Sequence, residues 1–231
     1  TMSNADFFQR AYSENGPKVI SGFSRPVYHN LMGVLYGHQF DKMGFGGMIR
    51  HTEAGMLYEW ASEVPQGGTI VEIGCYGGLS TSYLVKGTES RDVRIYSIDP
   101  FNSDLDTQAE RTDGCVELED KPTKELVAQR MAKLGAGDRV TLIEGFSQEA
   151  VKDWKDEIDF LWIDGNHDQA YLDFTDWSPY LKVGGRIGFH DSHPRYGYPQ
   201  VAEDVKKALE SSEHWGQLEH VKSIISAIKL A

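Results

Sequence analysis

From residue 52 onward the chain alternates between short apolar runs rich in β-branched residues and longer amphipathic runs, with no internal repeat or low-complexity tract. TIVEIG (69–74), VRIYSID (93–99), VTLIEG (140–145) and IDFLWIDG (158–165) read as strands. A fifth strand follows a Gly-Gly turn in KVGGRIGFHD (182–191), and GQLEHVKSIISAIKL (216–230) reads as a closing pair. Between them TEAGMLYEWASEV (52–64, with Thr52 as cap), GLSTSYLVKG (78–87), TKELVAQRMAKL (123–134), SQEAVKDW (147–154), DQAYLDFTDWSPYL (168–181) and VAEDVKKALE (201–210) carry helical spacing. Alternation of this kind predicts an α/β fold: a Rossmann-like, doubly wound, mostly parallel seven-stranded sheet with helices on both faces. Ligands of such sheets bind beyond the carboxyl ends of the strands.

Residues 1–51 break the pattern, being aromatic, rich in glycine and poorly periodic. They are expected to form an irregular N-terminal arm that packs on the sheet or on a second copy of the chain, the alternative being a lid over substrate. Residues 100–122, with seven acidic side chains, read as a flexible insertion.

The chemistry concentrates at the strand ends. In VEIGCYGGLS, Gly74 and Gly78 let the backbone pass close to a ligand, and Glu72 supplies an acceptor. The spacing is E-x-G-x-x-x-G rather than G-x-G-x-x-G, which disfavours a dinucleotide. Asp99 ends the second strand, where a carboxylate can accept from two ribose hydroxyls or simply form the turn before Pro100. Ser147 and Gln148 can read an adenine edge, or Ser147 can cap the helix after it. The fourth and fifth strands end in WIDGNH and FHDS, which brings Asp164, His190 and Asp191 to neighbouring positions. Two carboxylates and an imidazole suit a divalent ion, while a core role hydrogen-bonded to backbone is the alternative for His190. His167, three residues past Asp164, is a candidate general base or a cap for the next helix, and His193 is a weaker second candidate.

These motifs, in the order VTLIEGFSQEAVKDWKDEIDFLWIDGNHDQAYLDF then YLKVGGRIGFHDS, resemble the class I S-adenosylmethionine-dependent methyltransferases over residues 52–210. Within that class they are similar to the metal-dependent small-molecule O-methyltransferases, namely catechol O-methyltransferase and the macrolide sugar enzymes. The resemblance implies a methyltransferase domain over 52–231, with Glu72, Gly74, Tyr76, Gly78 and Ser80 around the methionine moiety. It further implies Asp99 at the ribose, Ser147 and Gln148 at the adenine, and Asp164 beside the cofactor. Asp164, His190 and Asp191 would hold the metal and His167 would be the base. The fifth-strand pair of such enzymes is usually Asp-Asp, Glu-Asp or Asp-Asn. His190-Asp191 keeps a ligand-capable side chain but widens the choice from Mg²⁺ or Mn²⁺ toward other transition metals. A metal-independent methyltransferase, or a Rossmann-like scaffold similar to the cephalosporin-biosynthesis component, are the competing readings.

Charge and cysteine content narrow the partners. A formal charge of -12 without a basic patch disfavours nucleic acid and anionic membrane surfaces and leaves a small-molecule hydroxyl acceptor. Two cysteines, Cys75 and Cys115, make no disulfide framework, and no apolar run reaches the ~20 residues of a membrane span, so a cytoplasmic setting is expected. A homo-oligomer formed through the N-terminal arm is the remaining expectation.

Overall fold

The computed structural model describes residues 2–14, 19–20, 26–45, 47–102 and 123–231. Apart from its first three residues, the acidic stretch 100–122 therefore lies outside the described residues, as does Cys115. The strands are β1 (Val19–Ile20), β2 (Thr69–Ile73), β3 (Arg94–Asp99), β4 (Val140–Glu144), β5 (Ile158–Ile163), β6 (Leu181–Phe189), β7 (Trp215–Val221) and β8 (Ile224–Lys229). Eight α-helices are found among the described residues: α1 (Asn4–Tyr12), α2 (Pro26–Lys42), α3 (His51–Glu63), α4 (Leu79–Gly87), α5 (Lys124–Lys133), α6 (Ser147–Ala150), α7 (Ala170–Trp177) and α8 (Pro199–Leu209). No helix among the described residues is long and apolar enough to cross a membrane.

One sheet forms in the order β1-β7-β8-β6-β5-β2-β3-β4. β4, β3, β2, β5 and β6 are mutually parallel, and β8 and β7 return antiparallel. Those seven are the expected strands, and β1 adds a two-residue antiparallel edge on β7. The strand order reverses between β2 and β5, which opens the switch-point crevice.

Period-two alternation sorts the core onto two faces. In β5, Phe160 and Trp162 join α2, α3, α4 and α5 on one side, while Leu161 and Ile163 join α1, α7 and α8 on the other. Glu72, on β2, is the buried exception. Its carboxylate accepts from Ser80 Oγ (2.5 Å), Thr81 Oγ1 (2.6 Å) and Ser97 Oγ (2.6 Å), tying β2 to α4 and β3. Burial nevertheless raises its pKa to about 7.

Three expectations about local structure change. The described part of the first 51 residues is largely helical, and Gly33 is a contact point between helices. A Cβ at Gly33 of α2 would lie 1.7 Å from the His51 carbonyl oxygen, and one at Gly55 of α3 would lie 1.8 Å from that of His29. Glycine at both positions lets α2 and α3 cross with their backbones nearly touching. Arg50, not Thr52, caps α3, where its N–H donates to Glu53 Oε2 at 3.1 Å. Gly184-Gly185 is no turn but a bulge inside β6, with Gly184 at φ +84° and the pairing to β5 shifting between Ile158 and Phe160.

Two stability outcomes follow from these contacts. Gly33→Ala should cost at least about 2 kcal/mol, because its Cβ meets backbone that cannot rotate away, whereas Gly137→Ala should stay within about 0.5 kcal/mol. Its nearest neighbour lies 4.0 Å off. Equal denaturation midpoints for the two would contradict the crossing. For Glu72, the folded pKa of about 7 lies above the ordinary 4.5. The protonated carboxyl therefore contributes fully below pH 4.5, and that contribution is lost as pH rises through 7. Denaturant titrations should show Glu72→Gln gaining on the wild type by up to about 3 kcal/mol between pH 5 and pH 8. A pH-independent difference would mean that the buried carboxyl titrates normally.

Candidate active site

The backbone ladder continues past the last paired residues and aligns the strand ends. Gly145 N donates to Asp99 O (3.1 Å), Gly74 N to Ile98 O (2.8 Å), Asp164 N to Ile73 O (2.8 Å) and His190 N to Ile163 O (3.0 Å). The residues just beyond β4, β2 and β5 and at the end of β6, with Asp99 closing β3, consequently share the rim of one cavity of about 680 Å³. Of the sequence-derived candidates, Gly74, Tyr76, Ser80, Asp99, Ser147, Asp164, His167, His190 and Asp191 line it, and Glu72, Gly78 and Gln148 do not.

Both glycines are required by the packing of the protein itself. A Cβ at Gly74 (φ +84°) would lie 2.2 Å from the Asp164 carbonyl oxygen, and one at Gly78 (φ +83°) would meet Val127 Cγ1 at 3.0 Å. In both cases the crowding is against protein. Asp99 organises that turn: Oδ2 accepts from Cys75 N (3.0 Å) and Tyr76 N (2.8 Å), and Oδ1 from Phe101 N (2.7 Å). A carboxylate has about four acceptor positions, so one remains on Oδ1 for a ligand.

At the other end, Ser147 Oγ (2.5 Å) and Gln148 Nε2 (2.8 Å) both donate to Asp173 Oδ1. Burial raises the Asp173 pKa to about 6 against the pull of these donors. Asp173 was not singled out from sequence, although an acid sharing the buried stripe of α7 with Ala170 and Trp177 was a signal. Phe146, Gln169, Tyr196, Tyr198 and Arg50 also line the cavity without such a signal.

Asp164, His190 and Asp191 each place a ligand atom within 4.8 Å of the others. His190 Nδ1 lies 3.0 Å from Asp164 Oδ1 and 3.5 Å from Asp191 Oδ2. On the opposite edge of the ring, Nε2 is 3.7 Å from Glu53 Oε2 and makes no hydrogen bond among the described residues. Burial opposes the charged imidazole, but Asp164 and Asp191 outweigh it and raise the His190 pKa well above its ordinary value. Asp164 is pushed up by burial against the attraction of His190. Asp191 is held well below the usual carboxylate range, burial being outweighed by His190 and His167. Two carboxylates and an imidazole this close fit a single divalent ion by donor chemistry and spacing. Asp191 has φ +52°, a strained conformation for a non-glycine residue, fixed by the hydrogen bond from Tyr198 N to its carbonyl (2.8 Å).

His167 Nε2 is 3.2 Å from Asp191 Oδ2, and its ring stacks on Tyr198 with centroids 3.8 Å apart. His193, the weaker candidate base, is ruled out by its surroundings. It is fully buried, its Nε2–H donates to Ala11 O (2.8 Å), its Nδ1 accepts from Arg195 N (3.1 Å), and its ring stacks on His220. It anchors α1 and is absent from the cavity wall.

Among solved structures, the SAH-bound methyltransferase PaMTH1 of Podospora anserina superposes with TM-score 0.60 at 17% identity, covering 98% of this chain and 95% of that one. The O-methyltransferase TomG of Streptomyces achromogenes, in complex with SAM, gives 0.58 at 14% identity over 88% and 90%. An O-methyltransferase from Bacillus cereus, in complex with SAH, gives 0.55 at 14% identity over 87% and 90%. At these identities the likeness is one of fold. A family model described as a methyltransferase domain matches residues 71–192, from the middle of β2 to just past Asp191 and just over half of the chain. The glycine turn, Asp99 and the Asp164–His190–Asp191 group all fall within that span, and the chain belongs to this family of S-adenosylmethionine-dependent methyltransferases.

Proposed function

We propose that the protein transfers the methyl group of S-adenosylmethionine to a hydroxyl of a small molecule, with His167 as general base and a divalent ion held by Asp164, His190 and Asp191. One observation carries this reading: the three potential ligands, His167 and the glycine turn all face the same cavity. The methionine moiety would run along Gly74, Tyr76 and Ser80, the ribose would meet Asp99, and the adenine would lie near Phe146, Ser147 and Asp173. Glu72, Gly78 and Gln148 support that wall from behind.

The residues account for the chemistry as follows. Asp99, Asp164 and Asp191 give the cavity an anionic lining that attracts a sulfonium more strongly than the neutral thioether left after transfer. With Nε2–H donated to Asp191, His167 carries its lone pair on Nδ1 and takes the proton of the acceptor hydroxyl. The hydroxyl oxygen forms the new bond to the methyl carbon, and the C–S pair returns to sulfur. A divalent ion in the Asp164–His190–Asp191 group would hold acceptor oxygens and lower the pKa of the reacting hydroxyl. Holding oxygen and methyl in line is the main task, worth roughly 7–11 kcal/mol in the best cases.

The 3.0 Å hydrogen bond from His190 to Asp164 favours a second reading, in which the imidazolium itself balances the two carboxylates and no metal is needed. Turnover after exhaustive chelation separates them: loss that Mg²⁺ or Mn²⁺ restores supports the metal, and full retention removes it. Asp164→Asn should lose metal binding and turnover together. His167→Ala should keep metal and S-adenosylmethionine binding while its maximal rate falls by about 10²–10⁴-fold. The deficit should shrink as hydroxide rises with pH. An unchanged rate in His167→Ala would put the base elsewhere, and loss of the metal would make His167 a ligand.

A further inference from the structure

Among the described residues, Arg50 is the one arginine or lysine that lines the cavity, against four aspartates: Asp99, Asp164, Asp173 and Asp191. Its position is built rather than incidental. The segment carrying it is pressed onto α4, since a Cβ at Gly47 would lie 2.6 Å from Leu79 Cβ. Arg50 then caps α3, with its N–H on Glu53 Oε2 and its Nη1 3.3 Å from Glu53 Oε1 and 3.4 Å from Tyr196 O.

Glu53 does not neutralise this guanidinium fully. The same carboxylate takes Ser223 N (2.9 Å) and Ser223 Oγ (2.6 Å), and it faces His190 Nε2 at 3.7 Å. One anion therefore serves two cations. Among the described residues Arg50 Nε and Nη2 make no hydrogen bond, and the side chain is 26% exposed and lines the cavity. A planar cation with donors to spare, in a pocket whose His190 is already held by Asp164 and Asp191, selects a singly charged planar anion. A dianionic phosphate would meet the aspartates.

We propose that Arg50 is a carboxylate-binding residue of this cavity, an assignment that rests on the methyltransferase reading. Arg50 shares one cavity with the glycine turn and the Asp164–His190–Asp191 group, so the carboxylate belongs either to the amino-acid end of the methyl donor or to the acceptor. Two ligand pairs, measured by calorimetry on the wild type, Arg50→Gln and Arg50→Lys, tell the sources apart. S-adenosylhomocysteine against 5′-methylthioadenosine differs by the amino-acid end. 3,4-Dihydroxybenzoate against catechol, on protein saturated with S-adenosylhomocysteine, differs by an acceptor carboxylate.

In at least one pair, Arg50→Gln should weaken the carboxylate-bearing member about 10-fold or more and leave its neutral partner within about twofold, with Arg50→Lys intermediate. The pair affected identifies the source. Equal weakening of both members, or no change in either pair, overturns the assignment while leaving the methyltransferase reading intact. A wild type that binds neither S-adenosylhomocysteine nor 5′-methylthioadenosine overturns both.

Discussion

Four backbone hydrogen bonds at the carboxyl edge of the sheet, from Gly145, Gly74, Asp164 and His190 to the strands beside them, set the register on which everything functional depends. They are ordinary parallel-ladder bonds. Extended one residue past Ile73 and Ile163, they draw the chain so close that the Asp164 carbonyl occupies the space a side chain at position 74 would need. The glycine turn with Asp99 and the acid–imidazole group thus become parts of one cavity wall. A one-residue slip would turn each of these side chains to the opposite face.

The charges around that edge are arranged in tiers of burial. Glu72, deepest, is surrounded by three hydroxyls and prefers its proton up to near neutral pH. Asp99 spends three hydrogen bonds on backbone amides and so shapes the turn at the same time as it faces the cavity. Glu53, from the other side, closes a chain of alternating charge that runs Arg50, Glu53, His190, Asp164. Buried anions are costly unless a cation joins them, a need that His190 meets for Asp164 and Asp191 and that the proposed sulfonium and divalent ion would meet further.

Much of this was legible in the sequence because strand ends are. Period-two runs of β-branched residues locate the carboxyl edge, and acids and imidazoles immediately after such runs have nowhere else to go. What stayed illegible depended on contacts distant in sequence. Gly33 and Gly37 read as irregularity, yet they let α2 pack against α3, and α2 further obscures its own pattern by leaving Val27, Leu31 and Leu35 exposed. Gly184-Gly185 resembles a turn but is a bulge, because β6 continues pairing with β5 on both sides of it. His193 carries the chemistry of a base and is consumed by Ala11 and His220. Arg50 has no motif at all; only the fold brings it to the cavity.

The central claim is that the row of strand ends binds the methyl donor across the switch point. A crystal structure of the protein with S-adenosylhomocysteine tests it most directly. The account predicts the homocysteine along Gly74, Tyr76 and Ser80, the ribose hydroxyls on Asp99, the adenine beside Phe146 and Ser147, and the sulfur directed at the Asp164–His167–Asp191 face. Ligand bound elsewhere, or lying in the cavity with its sulfur turned away from His167, would contradict it.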